Sequence, residues 1–298
     1  MRRVVAMIGL LLATGVPVVH AGEAQPAQLT LAPVAGPVSV VQGGGGNIGV
    51  VADPAGLVLI DAMEQRVGDA VRTAIADVPG SGHIRLVVNT HWHADHTDGN
   101  RALGAGAVIV AHEHVRDLLS KDQTLLGQGR KALPPDALPT ITYSDRLTLH
   151  AGGETIRLVH YPHAHTDGDT VVYMDGPKVV HMGDMFFNGM FPFLDVANGG
   201  DIGNWVRQLD IILSALSAET KIIPGHGPLA ARADLEGYLA MLKETSAVVQ
   251  KGLAAGQTAE QMKAAKVLAK WDKYSWDFIS TDKYIDQLCA GLKPAPKK

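Results

Sequence analysis

The chain is 298 residues long and 46% apolar, which is enough to bury a sizeable core in one large domain or two fused halves. Its formal net charge of −4 argues against a nucleic-acid partner, because such a partner requires a basic face. The single cysteine, Cys289, excludes an internal disulfide, so the fold must rest on other interactions.

Residues 1–21 have the pattern of a secretory signal peptide. Two arginines precede the apolar run Val4–Val19, and a cut is predicted after Ala21. The run is shorter than the ~20 apolar residues that a membrane span needs, and Gly15 and Pro17 interrupt it. We therefore expect a periplasmic or secreted protein without membrane contact after cleavage. Loss of the two arginines would bring its net charge to −6.

Residues 22–37 predict an extended lead-in to one domain over residues 38–292, and residues 293–298 predict a disordered tail. Short apolar runs bounded by turn residues predict strands at Val38–Val41, Ile48–Ala52, Leu57–Ile60, Leu86–Asn89, Val108–Ala111, Ile141–Tyr143, Leu147–His150, Ile156–Tyr161, Val171–Met174, Val179–Met182 and Lys221–Ile223. Apolar spacing predicts helices over 64–77, 97–103, 112–120, 201–217 and most of 232–292. Strands and helices that alternate in two series indicate an α/β or α+β fold.

Two connecting segments stand out between these elements. The run Gly44–Gly49 formally matches the G-x-G-x-x-G dinucleotide motif, but it leads into a strand instead of opening a helix. We reject the dinucleotide interpretation and predict a flexible hairpin tip at Gly43–Gly46 that could close over the site. Residues 121–140, with three prolines, predict a loop-rich insertion that borders the site.

The run His91-Trp92-His93-Ala94-Asp95-His96 carries the strongest chemical signal. It places four metal-capable side chains within six residues, directly after the predicted strand Leu86–Asn89. Imidazole nitrogens and carboxylate oxygens suit zinc. Further metal-capable residues follow later strands, namely His163, His165, Asp184 and His226, and glycines beside them allow a close backbone approach. The pattern predicts a metal site where these strand ends meet.

The motifs, taken in order, resemble those of the metallo-β-lactamase superfamily. They are His91-x-His93-x-Asp95-His96, His165-Thr166-x-Gly168-Asp169, Gly183-Asp184 and Pro224-Gly225-His226-Gly227, and the early Asp61 also matches. The likeness covers the chain from about Asn47 to His226. It implies a four-layer αβ/βα sandwich with the site along one edge.

The resemblance also implies a ligand set for two zinc ions, with iron or manganese left open. His91, His93 and His165 would bind one ion, Asp95, His96 and His226 the other, and Asp184 would bridge them, as in glyoxalase II-like and lactonase-like members. His165 is preferred to His163 because Thr166 and Gly168 follow it. Asp61 would hold a ligand histidine or a loop. A hydroxide between the metals would attack the substrate carbonyl, and Asp95 would also orient that water or accept its proton.

The substrate is predicted to be a small molecule, opened at a cyclic amide such as a β-lactam, a lactone or an ester. The aromatic run Phe186–Leu194 predicts a loop that forms an apolar wall of the pocket. Phe187 stands where many β-lactamases of the family carry a lysine that grips a carboxylate. A glyoxalase II-like thioesterase, a mononuclear-iron persulfide dioxygenase-like oxidoreductase and a non-catalytic metal-binding module are the alternatives.

Overall fold

The computed structural model describes residues 28–125 and 127–292, and within them two large sheets pack face to face. The first sheet has the order β1-β2-β3-β4-β5-β6-β9, with β1 Thr30–Ala35, β2 Val38–Gln42, β3 Ile48–Val51, β4 Leu57–Ile60, β5 Ile84–Asn89, β6 Val108–His112 and β9 Ile141–Tyr143. Its first four strands are antiparallel, whereas β4, β5, β6 and β9 run parallel. The predicted lead-in is therefore partly an edge strand.

The second sheet has the order β10 to β15. Its strands are β10 Arg146–Ala151, β11 Glu154–His160, β12 Thr170–Met174, β13 Val179–His181, β14 Lys221–Ile223 and β15 Ala230–Ala231. All neighbours are antiparallel except β13 and β14, which run parallel. A separate hairpin, β7 Gln123–Leu125 and β8 Gln128–Arg130, lies in the segment predicted to be a loop-rich insertion.

The described helices cover the outer faces of both sheets. They are α1 Gly68–Ala74, α2 Ala94–Thr97, α3 Asn100–Leu103, α4 Glu113–Leu119, α5 Ile202–Ala215, α6 Arg232–Ala254, α7 Ala259–Ala264 and α8 Thr281–Gly291. Short 3₁₀ helices lie at Gln65–Val67, Pro135–Ala137, Gly183–Met185, Val196–Asn198 and Ala269–Tyr274. The predicted helix over 64–77 is thus shorter than its apolar spacing suggested, because its first turn is 3₁₀.

Successive side chains of each strand point to opposite faces of its sheet and so pack in different layers of the core. Val58 and Ile60 of β4 face the second sheet and pack with residues such as Leu158, whereas Leu57 and Leu59 face the helices of the first sheet. The outer face of the second sheet packs against α5, α6 and α8. The domain therefore has four layers, in which two central sheets are covered on their outer faces by helices. This arrangement confirms the predicted αβ/βα sandwich.

The helix α5 shows why the sequence folds this way locally. The Asp201 side chain accepts a hydrogen bond from the Asn204 backbone N–H and caps the helix. Trp205, Leu209 and Ile212 then lie on one buried face at helical spacing. No helix in the described part of the chain is long and apolar enough to cross a membrane. The predicted signal peptide and the predicted C-terminal tail lie outside the described residues.

Candidate metal centre

The metal-capable residues come from four separate segments that reach the same edge of the sandwich. His91 to His96 follow β5, His165 lies in the turn between β11 and β12, Asp184 follows β13, and His226 follows β14. All seven ligands predicted from the sequence lie in two neighbouring groups of donor atoms that could each hold a metal ion. His163 does not join them.

The first group consists of His91, His93, His165 and Asp184, all of them buried. Nδ1 of His93 lies 3.1 Å from Nε2 of His91 and 2.9 Å from Nε2 of His165. Three imidazole nitrogens therefore converge on one point, with a carboxylate oxygen of Asp184 beside them at 3.5 Å from His165 Nε2. Three nitrogens and one oxygen form the kind of donor set that zinc accepts.

The second group consists of Asp95, His96 and His226. Nε2 of His226 lies 3.1 Å from Oδ2 of Asp95 and 3.4 Å from Nε2 of His96. His96 is fully buried, whereas the Asp95 side chain is 30% exposed and faces the cavity. One carboxylate of this group can therefore contact a bound substrate or water.

Asp184 lies between the two groups and presents one oxygen to each. Oδ2 faces the first group, at 3.6 Å from His91 Nε2, and Oδ1 faces the second, at 3.1 Å from His96 Nε2. Oδ1 is buried and also lies 3.4 Å from Nε2 of His226. A buried carboxylate is costly unless a cation is near, so a carboxylate whose two oxygens each face ring nitrogens fits a metal-bridging role.

Four histidines of the two groups, His91, His93, His96 and His165, each have a polar partner at the ring nitrogen that faces away from the donor cluster. Asp61 Oδ2 lies 2.8 Å from His96 Nδ1, and the same carboxylate accepts hydrogen bonds from the backbone and hydroxyl of Thr90, which matches the supporting role expected of Asp61. The Phe193 carbonyl lies 2.8 Å from His165 Nδ1. Such partners orient the rings and select the tautomer whose free nitrogen faces the metal.

Asp195 is the functional residue that the sequence did not reveal. Its Oδ2 lies 3.1 Å from His93 Nε2 and accepts a hydrogen bond from the indole N–H of Trp92 at 3.2 Å. Asp195 is buried, and Asn198 donates to both of its oxygens. It belongs to none of the recognised motifs, and an aspartate after the aromatic run of a loop carries no local signal of this role.

Replacement of Asp195 tests its role as a positioning residue. We expect Asp195→Asn to weaken metal binding in the first group by roughly 10–100-fold, because the His93 ring loses its charged partner. Competition with a chromophoric chelator measures this change. Asp210→Asn, at an exposed carboxylate paired with Lys243, is the matched control and should bind metal like the wild type. Equal affinity of the Asp195 and Asp210 variants would contradict the role.

The two groups differ in their electrostatics. Burial lowers the pKa of His165 to about 4, and burial also lowers the pKa of His91 well below its usual value, so both are neutral imidazoles that could bind a metal. In the second group, burial also acts to lower the pKa of His96 and His226. There Asp184 and Asp95 outweigh it, raising the pKa of His226 to about 9 and that of His96 well above its usual value. This concentration of negative charge attracts cations.

Two glycines allow the backbone to approach these groups closely. A Cβ atom at Gly46 would lie 2.2 Å from Cε1 of His96, and one at Gly225 would lie 2.0 Å from Oδ1 of Asp184. Gly46 belongs to the predicted tip between β2 and β3, so that tip packs directly on the His96 ring. Neither contact leaves room for a side chain.

The remaining histidines of this region lie apart from the two groups. His163 is exposed, and its Nδ1 lies 2.9 Å from Asp167 Oδ1. His181 is buried near Asn47, and its Nδ1 accepts a hydrogen bond from the Gly183 N–H. His160 stacks on His112 with ring centroids 3.7 Å apart. None of these histidines belongs to either group of donors found in the described part of the chain.

The stacked pair His112 and His160 makes stability depend on pH. Burial, followed by the neighbouring His112, lowers the pKa of His160 to about 4. An unfolded histidine titrates near ~6.5, so between these values the unfolded chain binds a proton that the folded chain does not. Stability should therefore fall as pH decreases from about 6.5 towards 4.

We expect His160→Phe to reduce this loss. The decrease in the urea midpoint between about pH 7 and pH 5 should be smaller than in the wild type, because the variant has no buried imidazole to protonate on unfolding. His150→Gln, at an exposed histidine, should keep the wild-type decrease. A wild-type decrease in both variants would show that other groups cause the acid sensitivity.

A cavity of about 490 Å³ opens onto both groups of donors. His93, Asp95, Asp184 and His226 reach it from one side, and Glu64 lies at its border. The apolar part of the lining consists of Ala94, Leu125, Phe187, Phe193, Trp276 and Phe278. None of the described lining residues is lysine or arginine.

The aromatic run Phe186–Leu194 only partly follows its prediction. It is irregular, as predicted, and Phe187 and Phe193 line the cavity. Phe186 and Phe191, however, are buried in the core, where Phe191 stacks on Tyr284 with ring centroids 4.4 Å apart. Two of the four phenylalanines therefore form the expected apolar wall, and the other two anchor the loop in the core.

Comparisons with known proteins agree with this fold. The family model of the metallo-β-lactamase superfamily matches residues 41–227. A linear primary-alkylsulfatase from Pseudomonas sp. (strain ATCC 19151) is 24% identical over 283 residues, covering 78% of this chain and 52% of the sulfatase. The chain thus spans about half the length of this curated relative.

Two solved structures share the fold over about 72% of the chain. A metallo-β-lactamase from Pontibacter korlensis has a TM-score of 0.60 at 19% identity, covering 72% of this chain and 99% of that one. The DIM-1 metallo-β-lactamase has a TM-score of 0.58 at 21% identity, covering 73% and 98%. At these identities the likeness concerns the fold alone, whereas the family model covers more than half of the sequence. The chain belongs to the metallo-β-lactamase superfamily.

Proposed function

We propose that this protein is a hydrolase that holds two zinc ions and cleaves a carbonyl bond in a small substrate, such as a lactone, an ester or a cyclic amide. The observation that carries the proposal is Asp184, whose two buried oxygens face two separate groups of donors at the floor of one cavity. The complete second group, with His96 and His226, favours two metals over the single iron of a persulfide dioxygenase-like enzyme.

The metals, when bound, would polarise the substrate carbonyl and lower the pKa of the attacking water. The chain's own residues supply the remaining requirements. Asp95 is the partly exposed carboxylate of the site, with its Oδ2 3.1 Å from His226 Nε2 and its side chain 30% exposed at the cavity. It can therefore orient the water and accept its proton. His93, held by Asp195, keeps the first group in place.

The charge of the lining favours uncharged substrates. Asp95 and Asp184 would be neutralised by the metals they hold, which leaves Glu64 as the charged side chain of the described lining. Phe187 stands where many β-lactamases of the family carry a lysine that grips a carboxylate. A β-lactam that carries its own carboxylate would lack a cationic side chain here to pair with it. We therefore place lactones and esters ahead of β-lactams. The predicted leader would put this reaction outside the cytoplasm.

A sulfate ester is the second candidate substrate, because the curated relative is a linear primary-alkylsulfatase. Its negative charge would have to be held by the metals, since the described lining offers no lysine or arginine. The apolar lining could accommodate an alkyl chain in either case. The two candidates differ in the atom that the water attacks. In a sulfate ester this atom belongs to the C–O–S linkage, whereas in a lactone or carboxylic ester it is the carbonyl carbon.

Metal analysis and a substrate panel test the proposal together. Purified protein should contain two zinc ions per chain, lose activity on treatment with a chelator and regain it with zinc. The panel comprises a γ-lactone, a carboxylic ester, nitrocefin, a thioester, an alkyl sulfate and a phosphodiester. Turnover of the alkyl sulfate alone would favour the second candidate. One iron with oxygen consumption, or no turnover with two zinc ions bound, would overturn the hydrolase proposal.

A further inference from the structure

The far wall of the cavity comes from a part of the chain that lies beyond the family match. Trp276 and Phe278 belong to the segment between the 3₁₀ helix Ala269–Tyr274 and α8, whereas the family model ends at residue 227. Both side chains line the cavity, and the Trp276 ring lies 5.8 Å from the His226 ring. The C-terminal segment is thus part of the site.

Aromatic rings form a continuous belt from one group of donors to the other. Ring centroids lie 5.5 Å apart for His93 and Phe193, 5.8 Å for Phe193 and Phe278, and 5.5 Å for Phe278 and Trp276. Trp276 is 6.4 Å from Phe187, which stacks on His226 at 5.1 Å. The belt places four apolar rings around the space next to the reacting centre. Separations of this kind allow the rings to contact one another favourably.

Hydrogen bonds hold the belt in position. The Trp276 indole N–H donates to the Phe191 carbonyl at 2.9 Å, and the Phe191 N–H donates to the Tyr274 carbonyl at 2.8 Å. The Leu194 N–H donates to the Gln287 side chain of α8. The aromatic loop and the C-terminal segment are therefore tied together, so a ligand would meet a preorganised surface.

Phe278 marks the outer end of this surface. It is 38% exposed, which is unusual for a phenylalanine, and it lies at the cavity while Trp276 is half-buried behind it. An exposed aromatic side chain continuous with an apolar cavity is typical of a ligand-binding surface. Its occupant should be uncharged, because the described lining offers no lysine or arginine.

We propose that Trp276 and Phe278 bind the alkyl or aryl group of the substrate and set its preferred length. This inference rests on the proposed function, since it assigns the apolar group of the same substrate. The C-terminal segment then determines specificity, while the residues of the family-matched region carry out the reaction. Burial of each methylene contributes about a three- to four-fold gain in kcat/KM as long as the belt can cover it.

A series of γ-lactones with side chains from methyl to hexyl tests this inference on the zinc-loaded protein. The wild type should gain about three- to four-fold in kcat/KM per methylene. Phe278→Ala and Trp276→Leu should flatten this gain to less than about two-fold per methylene, mainly through KM. Ile211→Ala, at an exposed isoleucine of α5, is the matched control and should keep the slope. A wild-type slope in Phe278→Ala, with circular dichroism showing that the variant is folded, overturns the inference.

A binding measurement separates this inference from the proposed function. Calorimetric titration with n-octanol uses no reaction, so it reports on the apolar surface even if no lactone is hydrolysed. Saturable octanol binding that Phe278→Ala and Trp276→Leu weaken, without any hydrolysis, would support the belt and contradict the proposed function. If the wild type hydrolysed lactones with a kcat/KM that did not change with chain length, the proposed function would be supported and the role of the belt would be contradicted. Circular dichroism checks that Trp276→Leu is folded.

Discussion

Replacement of Asp184 by asparagine should release metal from both groups and reduce kcat/KM by at least ~100-fold, since even the loss of a residue that only supports a ligand costs 10–100-fold. The change keeps the size of the side chain but removes the negative charge shared between His91 and His165 on one side and His96 on the other. Elemental analysis after dialysis should find less than two zinc ions per chain, and the lactone assay measures the loss of turnover.

Asp175→Asn is the matched control for this experiment. Asp175 is exposed and pairs with Arg157, away from the cavity. The control should retain the metal content and activity of the wild type. If Asp184→Asn retained two zinc ions and full turnover, the bridging role and the two-metal site proposed around it would both be wrong.

Replacement of Gly46 by alanine should damage the second group without touching a ligand. The new methyl group would lie 2.2 Å from Cε1 of His96, so the ring must move away from Asp61 and Asp184 or the β2–β3 tip must open. We expect metal affinity of the second group to fall by roughly 10–100-fold. Overpacking should also lower the free energy of unfolding by about 1–3 kcal/mol.

Gly237→Ala provides the matched control for Gly46→Ala. A Cβ atom at Gly237, on the surface of α6, meets no atom within 4 Å. This variant should be more stable by about 0.5–1 kcal/mol, because alanine loses less backbone entropy in a helix, and it should bind metal normally. Urea unfolding and chelator competition measure both variants. Normal metal binding by Gly46→Ala would show that the tip yields easily and does not hold His96.

The site illustrates which residues a sequence reveals. His91 to His96 lie within six residues, so their common chemistry is visible locally, and the later ligands are recognisable because each follows a strand and has a small neighbour. Asp195 lacks such a context. Its contact with His93 joins residues 102 positions apart and exists only because the aromatic loop folds back over the end of β5.

The aromatic residues show the same difference. The cluster Phe186–Phe193 predicted an apolar loop, but periodicity cannot decide which rings face a cavity once glycine and proline interrupt it. Phe186 and Phe191 are buried by packing against α6 and α8, whereas Phe187 and Phe193 face the donors. Likewise, Trp276 and Phe278 read as parts of a helical region, and only their contacts across the chain bring them to the site.

The alternation of strands and helices and the metal-capable residues at strand ends follow from the sequence, because apolar periodicity sets which faces are buried and strand ends set where polar side chains emerge. The four-layer sandwich and the choice of seven ligands come from the resemblance of the motifs to those of the family. The shape and charge of the substrate cavity follow only from the tertiary structure. They depend on long-range packing between the loop after Asp184 and the C-terminal segment, and on Asp184 lying between two groups that no local pattern holds together. Local sequence patterns therefore determine the reaction chemistry that the chain can support. Packing between distant segments determines which substrates can reach the site.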